Sequence, residues 1–155
     1  MRLSKNFTLK ELEKSQAALR LGLNNSTPIT VVPNLIALCA NVLQPIRDHF
    51  GPVIVSSGYR SIPLNKAIGG SKSSQHCHGK AADFEVFGVD NLTVAKWIEE
   101  HIVFDQLILE FYEASNPNSG WIHCSYNGEV NREQALTAYK IGKEIKYVKG
   151  LPEQE

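Results

Sequence analysis

The chain has 155 residues and 43% hydrophobic content, enough for one packed core, and its 16 basic and 16 acidic residues cancel to zero formal net charge. No block of like charge appears, which speaks against a nucleic-acid groove or an anionic-membrane patch as the main function, and no apolar run approaches the roughly 20 residues of a membrane span. Three cysteines without C-x-x-C spacing argue against a disulfide framework and for synthesis in a reducing compartment.

Met1-Arg2-Leu3-Ser4-Lys5-Asn6-Phe7 has no apolar core of the kind a secretory signal carries, so the expectation is a protein made in the cytoplasm. Thr8-Leu9-Lys10-Glu11 is a capping-box pattern and predicts a helix from Thr8 to about Arg20, broken by Gly22 and the polar stretch Asn24–Pro28. A longer helix starts at Pro33. Leu35, Leu38, Cys39, Val42, Leu43, Ile46 and Phe50 form its apolar face, Pro45 should kink or split it, and Gly51-Pro52 ends it. The β-branched run Val53–Ser56 reads as a strand, Ser57–Ser61 as a turn and Ile62–Ile68 as a short helix.

A flexible Gly/Ser loop over 69–74 leads into a crowded polar stretch, Ser73-Ser74-Gln75-His76-Cys77-His78-Gly79-Lys80-Ala81-Ala82-Asp83-Phe84-Glu85. Its second half reads as a strand over 81–86 with Ala81, Asp83 and Glu85 on one face. A helix over 91–101 and a strand over 105–111 follow, the strand with Gln106, Ile108 and Glu110 on one side. The turn Asn116–Gly120 connects to a strand over 121–126, where Trp121, His123 and Ser125 share a face. Residues 132–139 and 144–148 are helices or strands, and 150–155 is a frayed acidic end. No repeat or linker is visible, so 1–155 reads as a single domain with a core over about 6–140. Helices first and then strands mixed with helices point to an α+β fold, a small mainly antiparallel sheet flanked by helices.

His76 and Asp83 suit a shared metal ion: a loop ligand, a glycine permitting a sharp turn, and a carboxylate on the following strand. His123 is the candidate third ligand, and a three-ligand zinc site leaves a place for water, ionised near neutrality, to attack a carbonyl. Spacing alone leaves other readings open. His76 could be a solvated loop histidine, Asp83 a hydrogen-bonded strand terminus, and His123 a half-buried ring satisfied by backbone. Cys77 competes with His76 as a ligand, and His78 lies close by; strand alternation turns Cys124 away, and Cys39 belongs to the helical core stripe. His49 and His101 suit helix ends.

Ser74-x-His76-x-x-Gly79-x-Ala81-x-Asp83, with Trp121-x-His123 downstream and Ser57-Gly58-Tyr59-Arg60 upstream, resembles the M15 family of zinc peptidases. That family includes D-alanyl-D-alanine carboxypeptidases and dipeptidases and the L-alanyl-D-glutamate endopeptidases of bacteriophages. The resemblance extends from Asn6 to about Ser125 and is strongest to the compact single-domain branch. It implies Zn2+ as cofactor on the sheet face, with His76, Asp83 and His123 as ligands. It assigns Arg60 to catalysis and substrate binding through a carboxylate or carbonyl oxygen of the peptide; Ser74 and Trp121 would help bind substrate.

One departure concerns the general base. Members of the family commonly carry an acidic residue three positions before the last histidine ligand, and here that position is Gly120. Glu110 is the best replacement, at the end of a strand that would pair beside His123; Glu113 comes next and Asp105 third. The implied activity is hydrolysis of an amide in the peptidoglycan stem peptide by a monomeric phage or bacterial cell-wall hydrolase. It would act on the host wall or travel with a virion, without nucleic-acid or membrane partners. Two other readings are a non-catalytic structural or wall-binding protein that keeps the fold, and an intracellular D-amino-acid dipeptidase.

Overall fold

The apolar alternations of the chain assemble around one sheet, whose two faces have opposite fates. In the computed structural model, which describes residues 1–153, the order is β1 (Arg2–Ser4), β2 (Phe7–Thr8), α1 (Leu9–Glu13), α2 (Gln16–Leu21) and α3 (Val32–Leu38). A π-helical turn (Cys39–Leu43), α4 (Gln44–Phe50), β3 (Val53–Ser57), α5 (Ile62–Ala67) and a 3-10 turn (Gln75–His78) follow. Next come β4 (Ala81–Val86), α6 (Asn91–His101), β5 (Gln106–Glu110), β6 (Trp121–Ser125), β7 (Gln134–Ile141) and β8 (Glu144–Lys149). The fold is α+β, as expected.

The capping box at Thr8 forms, with both Thr8 and Glu11 side chains bonding back to the backbone. The single helix expected from Thr8 to Arg20 is nevertheless two helices. Lys14 turns extended, and the hydroxyl of Ser15 accepts from the Ala18 N–H to start α2 afresh. Pro45 has the expected effect of splitting the next helix. It cannot donate a helical hydrogen bond, and the wide turn Cys39–Leu43, closed by Gln44 N–H to Cys39 O, absorbs the misfit so that Pro45 falls in the first turn of α4. The apolar stripe survives intact: Leu35, Leu38, Cys39, Val42, Leu43 and Ile46 are fully buried. Each such large aliphatic side chain contributes about 1.5–3 kcal/mol by leaving water.

The six-stranded sheet has the order β3-β4-β6-β5-β7-β8. All pairings are antiparallel except the parallel pair β5–β7, so the sheet is mixed while remaining mainly antiparallel. The two ambiguous C-terminal segments are both strands, joined as a hairpin through Gly142-Lys143. Ala82, Phe84, Leu107, Leu109, Ile122 and Cys124 project from one face into the core shared with the α3–α4 stripe and with Val94, Ala95 and Ile98 of α6.

The other face carries two rows of side chains that cross the strands. One row runs Ser57, Asp83, His123, Ile108, Leu136, Lys149; the second runs Trp121, Glu110, Ala138, Tyr147. Buried structure starts before residue 6, since Leu3 of β1 is in the core cluster. At the other end the Gly150 N–H donates to Ala135 O and Leu151 packs against the core, while residues 154–155 of the expected frayed end lie outside the described residues. Among the described residues no helix is long and apolar enough to cross a membrane.

Candidate metal centre

His76 is delivered by a short, tightly closed turn. The hydroxyl of Ser74 accepts from the His76 N–H, and Gly79 ends the turn in the left-handed region (φ 69°). A Cβ at Gly79 would meet Val31 Cγ1 at 2.7 Å, so the position demands glycine on two counts. The chain then enters β4, whose third residue is Asp83. The β4–β6 register sets Asp83 directly opposite His123.

The three side chains converge. His123 Nδ1 lies 2.9 Å from Asp83 Oδ1, and His76 Nε2 lies 3.4 Å from Asp83 Oδ2. One ligand atom from each residue falls within 4.8 Å of the others, an arrangement that could hold a metal ion. His76 Nδ1 donates to the Gly58 carbonyl at 2.8 Å. That bond fixes the tautomer and leaves the Nε2 lone pair facing the carboxylate, the second-layer support typical of metal-binding histidines. Burial is the largest influence on Asp83 and opposes its ionisation. The hydrogen bond with His123, together with the adjacent His76 ring, outweighs it and holds the carboxyl well below the usual carboxylate range. A lone pair fixed on one imidazole, an ionised carboxylate and a second imidazole form a donor set that suits zinc, with room for a fourth ligand.

The alternatives left open by spacing can now be compared with the geometry. His76 is 4% exposed, so it is not a solvated loop residue. Asp83 is in mid-strand, and His123 finds its partner in that carboxylate. Cys77 is half-buried outside the trio, and burial pushes its thiol up. Cys124 is in the core behind β6, and Cys39 is buried with its thiol pushed up to about 12, first by burial and then by Glu11. His49 and His101 stack on Trp97, with ring centroids 4.6 and 4.8 Å away.

The centre opens into a cleft of about 960 Å3 lined by Arg60, Ser74, Glu110 and Trp121 among others. Arg60 is held in place: its backbone N–H donates to His76 O, and its guanidinium donates to Asn65 Oδ1 at 2.9 Å and Ser57 Oγ at 3.4 Å. Trp121 packs edge-on against Phe111 at 5.2 Å and forms a wall. Glu110 pairs with Trp121, and His123 with Ile108, so Glu110 is the diagonal neighbour of His123 on the same face. Diagonal neighbours sit about 7–8 Å apart, within reach of a long side chain. Burial, and then the nearby Asp83 charge, raise the Glu110 carboxyl above its ordinary value; His123, the buried Trp121 indole N–H and Arg60 moderate the rise.

Position 120 explains itself sterically. Gly120 is left-handed (φ 68°), and a Cβ there would fall 1.9 Å from Glu110 O and 2.9 Å from Phe111 O. No acidic side chain fits. Glu113 is exposed, paired by a bridge with Asn116 and outside the cleft lining. Asp105 does line the cleft, but its carboxylate accepts from Arg132 Nε, Nη2 and backbone N–H and from Gln75 Nε2. Sequence reading overlooked Asn65, Arg132, Ile145 and Tyr147 as neighbours of the cleft. The alternation of Ile145 and Tyr147 was a readable signal, but nothing in it told which face of the sheet they would take.

A family model described as Peptidase M15 matches residues 5–125, well over half of the chain. The match spans His76, Asp83, His123, Arg60 and Glu110 and stops before β7 and β8. No curated protein matches the chain.

Proposed function

We propose a function from one premise: the chain belongs to the peptidase M15 family. The activity best supported is zinc-dependent hydrolysis of an amide bond in the stem peptide of peptidoglycan, by a wall hydrolase of a phage or a bacterium. The observation that carries it is the convergence of His76, Asp83 and His123 at the floor of an open cleft, with Glu110 as diagonal neighbour.

In this reading His76 Nε2, an Asp83 oxygen and His123 Nδ1 hold the zinc ion. Bound there, zinc supplies Lewis acidity that makes water nucleophilic near neutral pH and polarises the amide carbonyl. Glu110 accepts the proton of the attacking water and returns it to the leaving amine nitrogen; its place on the cleft lining, diagonal to His123 on the same face, suits that exchange. Arg60, pre-positioned by Asn65 and Ser57, holds a carboxylate or carbonyl oxygen of the peptide and steadies negative charge as it develops. Ser74 acts through the turn it caps, keeping His76 in register, and Trp121 walls the substrate. The choice of stem peptide rests on the resemblance of the Ser74–Asp83 and Trp121–His123 motifs to stem-peptide hydrolases, and on a cleft large enough for a short peptide. The enzyme acts as a monomer, reaching the wall on lysis or with a virion.

Digestion of purified peptidoglycan followed by mass spectrometry of the fragments tests this. The expected result is a single class of cleaved stem peptide, abolished by chelation. Intact stem peptides after prolonged incubation with zinc-loaded protein would favour the wall-binding alternative instead.

A further inference from the structure

The hairpin β7–β8 lies beyond the family-matched stretch, yet it borders the cleft through Ile145 and Tyr147. Both residues sit on the face that carries Glu110. The register makes this explicit: Glu110 pairs with Ala138, and Ala138 pairs with Tyr147. Ala138 is fully buried although no helix in the core cluster covers its face, as expected where the larger Glu110 and Tyr147 side chains close over it. Electrostatics agrees with that adjacency, since burial and then the Glu110 charge both raise the Tyr147 phenol.

Ile145 and Tyr147 remain 50% and 55% exposed, on an edge strand. Exposure alone does not single them out, because Val148 on the reverse face is 50% exposed too. What distinguishes them is that they line the same cleft as the metal centre. Lys143, Lys146 and Lys149 give the hairpin charges of the kind that discourage edge-to-edge pairing, so the apolar pair is not left exposed as an invitation to a second copy of the sheet.

We infer that Ile145 and Tyr147 form a substrate subsite, an apolar wall that contacts the stem peptide beyond the cleaved amide on the side away from Arg60. This rests on the stem-peptide reading above. Arg60 follows β3 at one end of the strand order, and β8 is at the other end, so a peptide crossing the centre from Arg60 runs toward the hairpin. Two strand spacings separate Glu110 from Tyr147, about 10 Å, and an extended peptide covers that with about three residues. The subsite therefore receives the residue about three positions from the cleaved bond. Its contact is with aliphatic or methylene surface, for which the tyrosine ring and the isoleucine side chain supply area at little entropic cost.

The test uses the full chain loaded with zinc and a synthetic stem pentapeptide, with affinity measured by calorimetry and cleavage by chromatography. Y147A and I145S are expected to weaken pentapeptide affinity about fivefold or more, raising KM by a larger factor than any fall in kcat, with zinc content unchanged. Y147F, which keeps the ring, should match the unsubstituted chain. Equal affinity for Y147A, I145S and the unsubstituted chain overturns the subsite, as does a loss in Y147F as large as in Y147A. The catalytic reading fails separately, if the unsubstituted chain binds the pentapeptide without cleaving it; in that case the loss in Y147A still supports the subsite. No binding at all by the unsubstituted chain overturns both.

Discussion

Restoring the family's acidic residue, by Gly120→Glu, should damage this protein rather than improve it. Two costs add. A residue with a Cβ in the left-handed region costs about 1–2 kcal/mol. The Cβ would also start 1.9 Å from Glu110 O. Relief to a tolerable contact requires the Glu110 carbonyl or the Gly120 backbone to move by roughly 1 Å, beside the β5–β6 pairing, at the cost of about one hydrogen bond, or ~1 kcal/mol. The sum is about 2–3 kcal/mol for both G120A and G120E, a fall in Tm of roughly 4–12 °C for a domain of this size. Because the displaced atom belongs to Glu110, activity should fall in parallel in the folded fraction. Calorimetric melts and stem-peptide turnover at a temperature where both proteins are folded measure the two effects. Stability of G120A within about 0.5 kcal/mol of the unsubstituted chain, or higher turnover in G120E, would refute the steric account of position 120.

Other substitutions separate the roles of the cleft residues. E110Q should lower kcat by about 10²–10⁴ while zinc content is unchanged; near-normal turnover would remove Glu110 as the base. R60A should cost about 1.5–3 kcal/mol in kcat/KM, roughly ten- to hundredfold, and stem-peptide kinetics on both proteins would show it. Leu35→Ala, at a fully buried position of the α3 stripe, should cost about 2–5 kcal/mol in urea unfolding. The Asp105–Arg132 pair makes a pH prediction. Arg132 hydrogen bonds hold the Asp105 carboxyl below its ordinary value. Its contribution is therefore present above the unfolded carboxylate pKa of about 3.9 and is lost as pH falls below it. R132A should lose less additional stability between about pH 5 and pH 3 than the unsubstituted chain; parallel curves would show that the pair contributes nothing.

The motif residues were legible because each reflected a local rule. His76 needed a glycine three residues on to turn the chain, and Asp83 in one strand, Ile108 and Glu110 in a second, and Trp121 and His123 in a third obeyed strand alternation, so which residues share a face within each strand followed from period alone. Pairing was harder. Nothing in the 132–149 segment fixed helix against strand, because the parallel partner of β7 is β5, a distant stretch whose demand for a neighbour is a tertiary effect. The split of the first helix was hidden for another reason: Ser15 lies in a window with good helical composition, and its hydroxyl wins locally over continuation. The absent acid at Gly120 was visible, but its cause was not, since the clash is with the carbonyl of a residue ten positions earlier.

Zinc analysis of the purified chain tests the central claim most directly. The account predicts about one zinc per chain, bound through His76, Asp83 and His123, with content falling toward background in H123A and D83A while both variants remain folded. Zinc-free protein after incubation with excess metal, or H123A retaining full zinc and full activity, would contradict it.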